Sequence, residues 1–300
     1  MRDHLVARLR RVEPGRIDAM LRDELIVGRD GPIDIAAPFA PGQYLWFHRD
    51  LPVEMPVPFP LTVLHRDDDV VVVDKPHFLA TIPRGRHVVE TALVRLRREL
   101  DLPDLSPAHR LDRVTAGVLL FVVRRELRGA YQTLFRDRRV RKTYEALAPF
   151  DPALRLPRTV CSRIVKERGV ILAREVPGPP NAETLVEVVE KAGDLARYRL
   201  TPSTGRTHQL RLHLRALGVP ILGDRFYGTA SGEPDDAPLD DFTHPLQLLA
   251  ATLEFRDPIS GVPRLFASRR ALQAWTDPTG WAAGTPVEDA GQQASVSSKE

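Results

Sequence analysis

Apolar residues in this chain gather in short unbroken runs and in helix-spaced stripes, with no long internal repeat. Residues 70–73 (VVVV) and 117–123 (GVLLFVV) contain no charge, the pattern of strands covered on both faces. Further β-rich stretches lie at 44–47, 61–65, 144–147, 183–189 and 198–200. Apolar positions three and four apart predict helices over 4–9, 17–25, 88–100, 126–135 and 207–217, the last closed by Gly218 as a C-terminal cap. These elements follow one another without a regular strand-helix beat. The expected fold is therefore α+β, a mixed, mainly antiparallel central sheet with flanking helices, rather than a doubly wound parallel sheet.

Breaks in the pattern suggest three segments. Residues 1–55 read as a small N-terminal extension with a turn at Arg29-Asp30-Gly31-Pro32, and the proline-rich VPFP at 57–60 marks the boundary. Residues 56–276 form the main body, and 277–300, rich in Gly, Pro, Ser and Gln, read as a disordered tail. With 43% apolar residues in 300, a sizeable core is expected. No apolar run approaches the roughly 20 residues of a membrane span, and MRDHLVARLRRVEPGR is broken by charge too often for a signal peptide. The expectation is a soluble, cytoplasmic protein. Its single cysteine, Cys161, excludes an intramolecular disulfide and a cysteine-rich zinc site.

A formal charge of +3 says little by itself, but its distribution says more. Residues 105–145 hold ten Lys or Arg against four Asp or Glu, the footprint of a phosphate-binding surface, although a solvated helix face would carry similar charge.

Four segments carry candidate chemistry. In HRLDRVTAGVLLF (109–121), Asp112 stands between Arg110 and Arg113 and runs into the buried strand. Positive neighbours stabilise a carboxylate's charge and a rigid strand fixes its position, as nucleophilic or acid-base work requires; a structural ion pair would look the same. In TGRTHQLRLHLRALG (204–218), Thr207, Arg211 and Arg215 share one helical face while Leu210, Leu214 and Leu217 form the apolar one, and a helix starting at Thr207 would present amides to an anion. His208 and His213 are five apart, the wrong spacing for helical zinc ligands, so no metal is expected. In RKTYEAL (141–147), Lys142 and Tyr144 face the same side of a strand, as stacking on an unpaired base beside its phosphates would need. Finally, DKPHFLATIPRGRH (74–87) ends the valine run in a basic loop with Arg84 and Arg86, and it lacks the glycine pattern of a nucleotide-binding loop.

Together, in this order and at these intervals, the four segments resemble the pseudouridine synthases of the RluA branch, over roughly residues 56–266. The resemblance implies an isomerase that converts uridine to pseudouridine in structured RNA, ribosomal or transfer, with no cofactor, and a monomer. It makes Asp112 the essential carboxylate, Tyr144 the ring that stacks on the target base, and Arg211 the partner of the aspartate. Arg110 takes the place of a residue that helps fill the gap left by the extruded nucleotide; Arg113, Lys142, Arg206, His208, Arg84 and Arg86 are expected to contact RNA. Two departures stand out: Ala116 where the family usually has Ser, and Leu249 where it has His. Residues 1–55 lack the basic pattern of the small RNA-binding module that many relatives carry, so that module is degenerate or absent here. Two other readings compete. One is a noncatalytic RNA-binding protein that kept the fold, and the other is a hydrolase using His109 or His208 with Asp112, which lacks a serine or cysteine nucleophile in a recognisable turn.

Overall fold

The chain divides at Val53 into two units, Met1–Val53 and Glu54–Glu300, each with its own core. The computed structural model describes residues 1–9, 12–47, 53–85, 87–228 and 241–285. In the first unit, helices α1 (Arg2–Arg8) and α2 (Pro14–Arg22) pack Leu5, Ile17, Met20 and Leu21 against Ile26 and Ile33. The last two belong to a small antiparallel sheet of β1 (Ile26–Gly28), β2 (Gly31–Pro32) and β3 (Trp46–Phe47), or to its flank. A two-toothed pair from Arg2 Nε and Nη2 to the Asp18 carboxylate, at 2.5 and 3.0 Å, ties the two helices.

The larger unit begins with β4 (Thr62–Arg66) and β5 (Val70–Lys75), continues through α3 (Ala92–Glu99), β6 (Ser106–Pro107), β7 (Ala116–Val122) and α4 (Arg128–Arg136), and then turns mainly to strands. These are β8 (Val140–Pro149), β9 (Arg158–Ser162), the hairpin β10 (Ile164–Val165) and β11 (Arg174–Glu175), β12 (Ala182–Ala192) and β13 (Leu195–Pro202). Helix α5 (Gln209–Ala216), β14 (Leu248–Arg256), β15 (Pro263–Ala267), α6 (Gln273–Thr276) and α7 (Pro278–Ala282) complete it. One sheet runs in the order β4-β5-β7-β14-β8-β13-β12-β9, with β15 on β14 and β6 on β7. Its pairs are antiparallel except β7 with β14, so the sheet is mixed and mainly antiparallel, as the pattern predicted.

Strand alternation explains the charge-free runs. Val71, Val73, Leu119 and Phe121 point to one face, where Ala92, Leu93 and Leu96 of α3 cover them. Val70, Val72, Val118, Leu120 and Val122 point to the other, beneath Tyr131 and Leu134 of α4. Both strands are buried along their whole length because a helix lies on each side. Helix α3 starts later than its spacing suggested. The amides of Val88, Val89 and Glu90 all donate to the Glu54 carboxylate at 2.8, 2.8 and 2.9 Å, which holds that stretch outside the helix, and the Thr91 hydroxyl then caps Val94. Residues 277–285, read from composition as the start of a tail, carry α7 instead: Asp277 accepts from the Gly280 amide at 2.9 Å, and Trp281 packs against the cluster of Leu147, Leu249 and Leu272. A single capped turn anchored by one tryptophan leaves no periodicity to read.

Where β7 meets β14 the backbones touch. Ala116 pairs with Leu249 and Gly117 with Ala250, and the row continues through Tyr144 on β8 to Leu200 on β13. Gly117 has φ +111°, and a Cβ there would sit 2.2 Å from the carbonyl oxygen of Ala250. Only glycine fits. The two departures from the family pattern, Ala116 and Leu249, are partners in this same contact, so an apolar pair fills the place of a polar one, with Leu147 packed beside it.

Gly117→Ala is therefore expected to destabilise the protein by at least about 3 kcal/mol in denaturant unfolding; a loss under about 1 kcal/mol would contradict the close approach. Leu249→His alone should cost about 2–4 kcal/mol by burying an unpaired imidazole. Adding Ala116→Ser should recover part of that loss, and strictly additive costs in the double variant would show that the two positions are not coupled.

Candidate active site

Asp112 lies on the turn that enters β7, with the Thr115 amide donating to its carbonyl at 3.1 Å. Its side chain is one third exposed, at the mouth of the sheet row just described. What holds it is the loop that follows β5. Thr81 Oγ1 accepts from the Leu111 amide at 3.1 Å and donates to the Leu111 carbonyl at 2.8 Å, clamping both peptide groups of the preceding residue. The Lys75 ammonium, fully buried, donates to the carbonyls of Pro76, Leu79 and Arg113 at 2.9, 2.8 and 3.3 Å. Burial pushes its pKa well below the ordinary lysine value, and the nearby Arg270 and Arg113 push the same way. His77 Nδ1 lies 2.7 Å from the Val114 carbonyl, and Arg113 Nη1 donates to the Phe78 carbonyl at 2.9 Å. Every residue from 111 to 114 except Asp112 is thus bonded to residues 75–81. Sequence reasoning singled out Arg84 and Arg86 in this loop; Lys75, His77 and Thr81, which precede them, are the scaffold of the aspartate. The signal available was a lysine directly continuing a buried strand, a position where an ammonium must find internal acceptors.

Helix α5 supplies the other wall. The expected split into an apolar stripe and an outward polar stripe does not occur, because Gln209 to Leu214 are all buried. Its polar residues bond internally: Gln209 to Thr204, Thr184 and the Glu183 carbonyl, and His213 to Ser162 and Thr184. The helix begins at Gln209, and Gln209 Oε1 already takes the Arg206 amide at 3.0 Å, so the predicted anion site at Thr207 is used from within. Arg211 is 2% exposed. Its closest partner is Asp224, missed in the sequence although it stands in the segment ILGDRFYG; Nε and Nη2 meet the two carboxylate oxygens at 2.7 and 2.6 Å. Asp112 is the second partner, with Nη1 3.9 Å from Oδ2. His208 Nε2 lies at the same 3.9 Å from that oxygen. His208 sits in the left-handed region, φ 56°, which turns its ring toward Asp112, and Nδ1 is 2.7 Å from the Tyr227 hydroxyl.

Tyr144, half-buried, packs between the two large core clusters from the middle of the row. Burial, and then the negative charge of Asp112, hold its hydroxyl well above the ordinary tyrosine range. The structure therefore brings Asp112, Tyr144, Arg211 and His208 together. It distributes the other candidates differently. Arg113 is occupied by Phe78, stacking over its ring at 5.8 Å, and Lys142 reaches the Thr204 carbonyl at 3.5 Å. Arg206, exposed, donates to the Asn181 carbonyl at 3.0 Å. Arg84 and Arg110 are exposed; Arg86 lies outside the described residues. Much of the basic excess is paired on the surface, Arg124 with Asp69, Arg128 with Asp104, Arg136 with Asp137 and Arg141 with Glu254, which leaves Arg125, Arg138 and Arg139 as exposed cations. His109 accepts the Leu120 amide at Nε2, stacks on Phe135 and is pushed down to about 3 by burial, so it serves the fold as a neutral acceptor and not as a base beside Asp112. Among the described residues no cluster of His, Cys, Asp and Glu could hold a metal ion, and no helix is long and apolar enough to cross a membrane.

The chain is similar to known proteins. The family described as RNA pseudouridylate synthase matches residues 69–216. An RNA pseudouridine synthase of Synechocystis sp. is 34% identical over 230 residues, covering 73% of this chain and 72% of that protein. The dual-specificity RNA pseudouridine synthase RluA of Escherichia coli K12 is 38% identical over 175 residues, 56% of this chain and 78% of that one. Of solved structures, human RNA pseudouridylate synthase domain containing 1 aligns with a TM-score of 0.53 at 25% identity, covering 79% of this chain and all of that one. The aspartate turn, the strand tyrosine and the buried arginine helix all lie within residues 69–216, and the chain belongs to the RluA-type RNA pseudouridine synthases.

Proposed function

We propose that this isomerase converts specific uridines in structured ribosomal or transfer RNA to pseudouridine, with Asp112 as the acting carboxylate. The observation that carries the reading is the convergence of Arg211 and His208 on one oxygen of Asp112, each at 3.9 Å, in a chain of this family. Asp112 either attacks the anomeric carbon or assists departure of uracil through a glycal-like intermediate. The bond from C1′ to N1 breaks, the ring turns, and C1′ joins C5; a proton leaves C5 and N1 gains one, so nothing beyond the substrate and acid-base groups is consumed. Tyr144 offers its ring face to the extruded base, and stacking of this kind contributes about 1–3 kcal/mol. Extrusion costs a few kcal/mol, which favours loops and distorted helices as targets, and exposed cations such as Arg110, Arg125, Arg138 and Arg139 offset part of that through phosphate contacts. The alternative of a noncatalytic binder would give no reason to bury Arg211 against Asp224 with a third nitrogen aimed at an aspartate.

Pseudouridine mapping of cellular RNA with and without the gene should show one or a few sites that disappear on deletion. Recombinant protein should restore them in RNA from the deletion strain, while Asp112→Asn should lower the rate at least about 1,000-fold and hold RNA affinity within a small factor; substantial turnover by that variant would remove Asp112 from the mechanism. Tyr144→Phe should retain most of the activity and Tyr144→Ala should lose roughly 10- to 100-fold. Equal collapse of both would show that the hydroxyl, rather than the ring face, is what matters.

A further inference from the structure

Residues 54–59, the first of the larger unit, form neither helix nor strand, yet they are fastened to it at several points. The Glu54 carboxylate collects three consecutive amides, those of Val88, Val89 and Glu90. Burial would raise its pKa, but these amides and then the charge of His87 hold it below the ordinary carboxylate range, so it stays an anion at neutral pH. Glu90 returns the contact. Its carboxylate accepts the Val57 amide at 2.9 Å and pairs with Arg95, whose Nη1 and Nη2 donate to the carbonyls of Phe59 and Val57 at 2.9 and 2.7 Å. A connection that only joined two units would need no such fastening.

What the fastening reaches is Asp112, from both sides. One route runs through the head of α3. With residues 88–90 held by Glu54 and the Thr91 hydroxyl capping the helix, the amides of Ala92 and Leu93 donate to the carbonyls of Ala80 and Thr81 at 2.8 and 3.1 Å. Thr81 Oγ1 in turn clamps both peptide groups of Leu111, the residue before Asp112. The other route is aromatic. The Phe59 ring stacks on that of Phe78 with centroids 6.2 Å apart. Phe78, held at φ 64°, offers its carbonyl to Arg113 Nη1 at 2.9 Å and its ring to the same guanidinium at 5.8 Å. Arg113 is the residue after Asp112. The two routes leave residues 54–59 at opposite ends, share no residue on the way, and finish on the two neighbours of the aspartate.

We infer that residues 54–59 are a positioning strap for the reaction: Glu54 acts through Thr81 on the peptide before Asp112, and Phe59 acts through Phe78 on the residue after it. These side chains do not touch the substrate; they govern where the carboxylate stands. The lever is steep, because a reacting group displaced by about 1 Å can lose about 100-fold in rate. Binding responds differently, since RNA affinity is spread over many phosphate contacts. The strap therefore sets the rate of the bound complex and leaves affinity alone. A stretch that served only stability would do the opposite, lowering the folded fraction while each folded molecule kept its rate. The inference rests on the proposed function, with Asp112 as the acting carboxylate, and adds positioning residues to it.

The test measures single-turnover rates with saturating enzyme on a synthetic RNA carrying the uridine found by mapping, each variant held well below its unfolding midpoint. Glu54→Gln, Thr81→Val and Phe59→Leu should each react roughly 10-fold or more slowly, with RNA affinity within about 2-fold of wild type. Thr81→Ser, which keeps the hydroxyl, should keep the wild-type rate. Glu54→Gln combined with Thr81→Val should match Thr81→Val alone to within about 2-fold, because both break one route, whereas Glu54→Gln combined with Phe59→Leu should multiply the two losses. Should Thr81→Val fail to fold, Glu54→Gln and Phe59→Leu, at partly exposed positions, still decide the matter. Rates within about 3-fold of wild type in both of these overturn the strap, as does a loss that falls on affinity instead of rate. Multiplied losses for Glu54→Gln with Thr81→Val overturn the route through α3. A wild-type enzyme that leaves the uridine unchanged would instead defeat the proposed function, and the strap with it.

Discussion

A carboxylate can act on a sugar only if it cannot swing away, and here the restraint is a set of backbone hydrogen bonds between residues 75–81 and 111–114. Thr81 grips Leu111, Lys75 grips Arg113 and His77 meets Val114, so the peptide chain is fixed on both sides of Asp112. The clamp exists because β5 and β7 are neighbours with helices on both faces: each strand delivers its end, Lys75 or Ala116, to the same edge of the sheet. A lysine with no exposed surface is an unusual fastening. Its three carbonyl partners are what make burial tolerable, and they all belong to the two loops being joined.

Charge around the aspartate is arranged so that it does not collapse onto its arginine. Arg211 already has a full two-point partner in Asp224, which also accepts the amides of Phe226 and Tyr227 at 3.0 Å each. A guanidinium so engaged is held by a second anion and by the rings of Phe226 and Tyr227, at 5.3 and 4.9 Å from its central carbon. Asp112 therefore feels a fixed positive neighbour at 3.9 Å rather than a mobile one that could close to contact. The family resemblance had paired Arg211 with Asp112 alone; the structure makes Asp224 the anchor and Asp112 the second neighbour.

The parts of this protein that could be read from sequence are those that depend on period. The charge-free runs at β5 and β7 announced strands covered on both sides, and the absence of a strand-helix beat announced a mixed sheet. Strand β14 was harder: only Leu249 of it was singled out, as a departure from the family pattern, because Leu248–Arg256 is buried at one end and alternating at the other, as it passes from β7 to β15. Asp112, Tyr144, Arg211 and His208 were legible because each occupies a motif. Asp224, Thr81 and Lys75 were not, since an internal acceptor or clamp has the same sequence appearance as a surface residue. Helix α5 misled for the same reason: Thr207, Arg211 and Arg215 look like an outward stripe until Asp224, which buries Arg211, is in view, and Gln209 and His213 find Thr184 and Ser162 inside the fold.

Two of the five non-glycine residues with positive φ among the described residues frame the candidate site. Phe78 and His208 both hold φ near +60°, at 64° and 56°, in a region that disfavours side chains, and both lie in the loops that frame Asp112. Arg211 Nη1 adds a buried donor without a partner. Elsewhere along the same strands, where the family resemblance implies Ser and His, Ala116 and Leu249 pack as an apolar pair. The contrast is informative: the contact of β7 with β14 is apolar, whereas polar groups surround the aspartate itself, one of them a buried donor whose unmade bond costs about 1–3 kcal/mol. Buried atoms without a hydrogen-bond partner also occur elsewhere, at Arg197 Nε and Gln273 Oε1 for example, so an unmade bond marks this site only together with the convergence of Arg211 and His208 on one carboxylate oxygen.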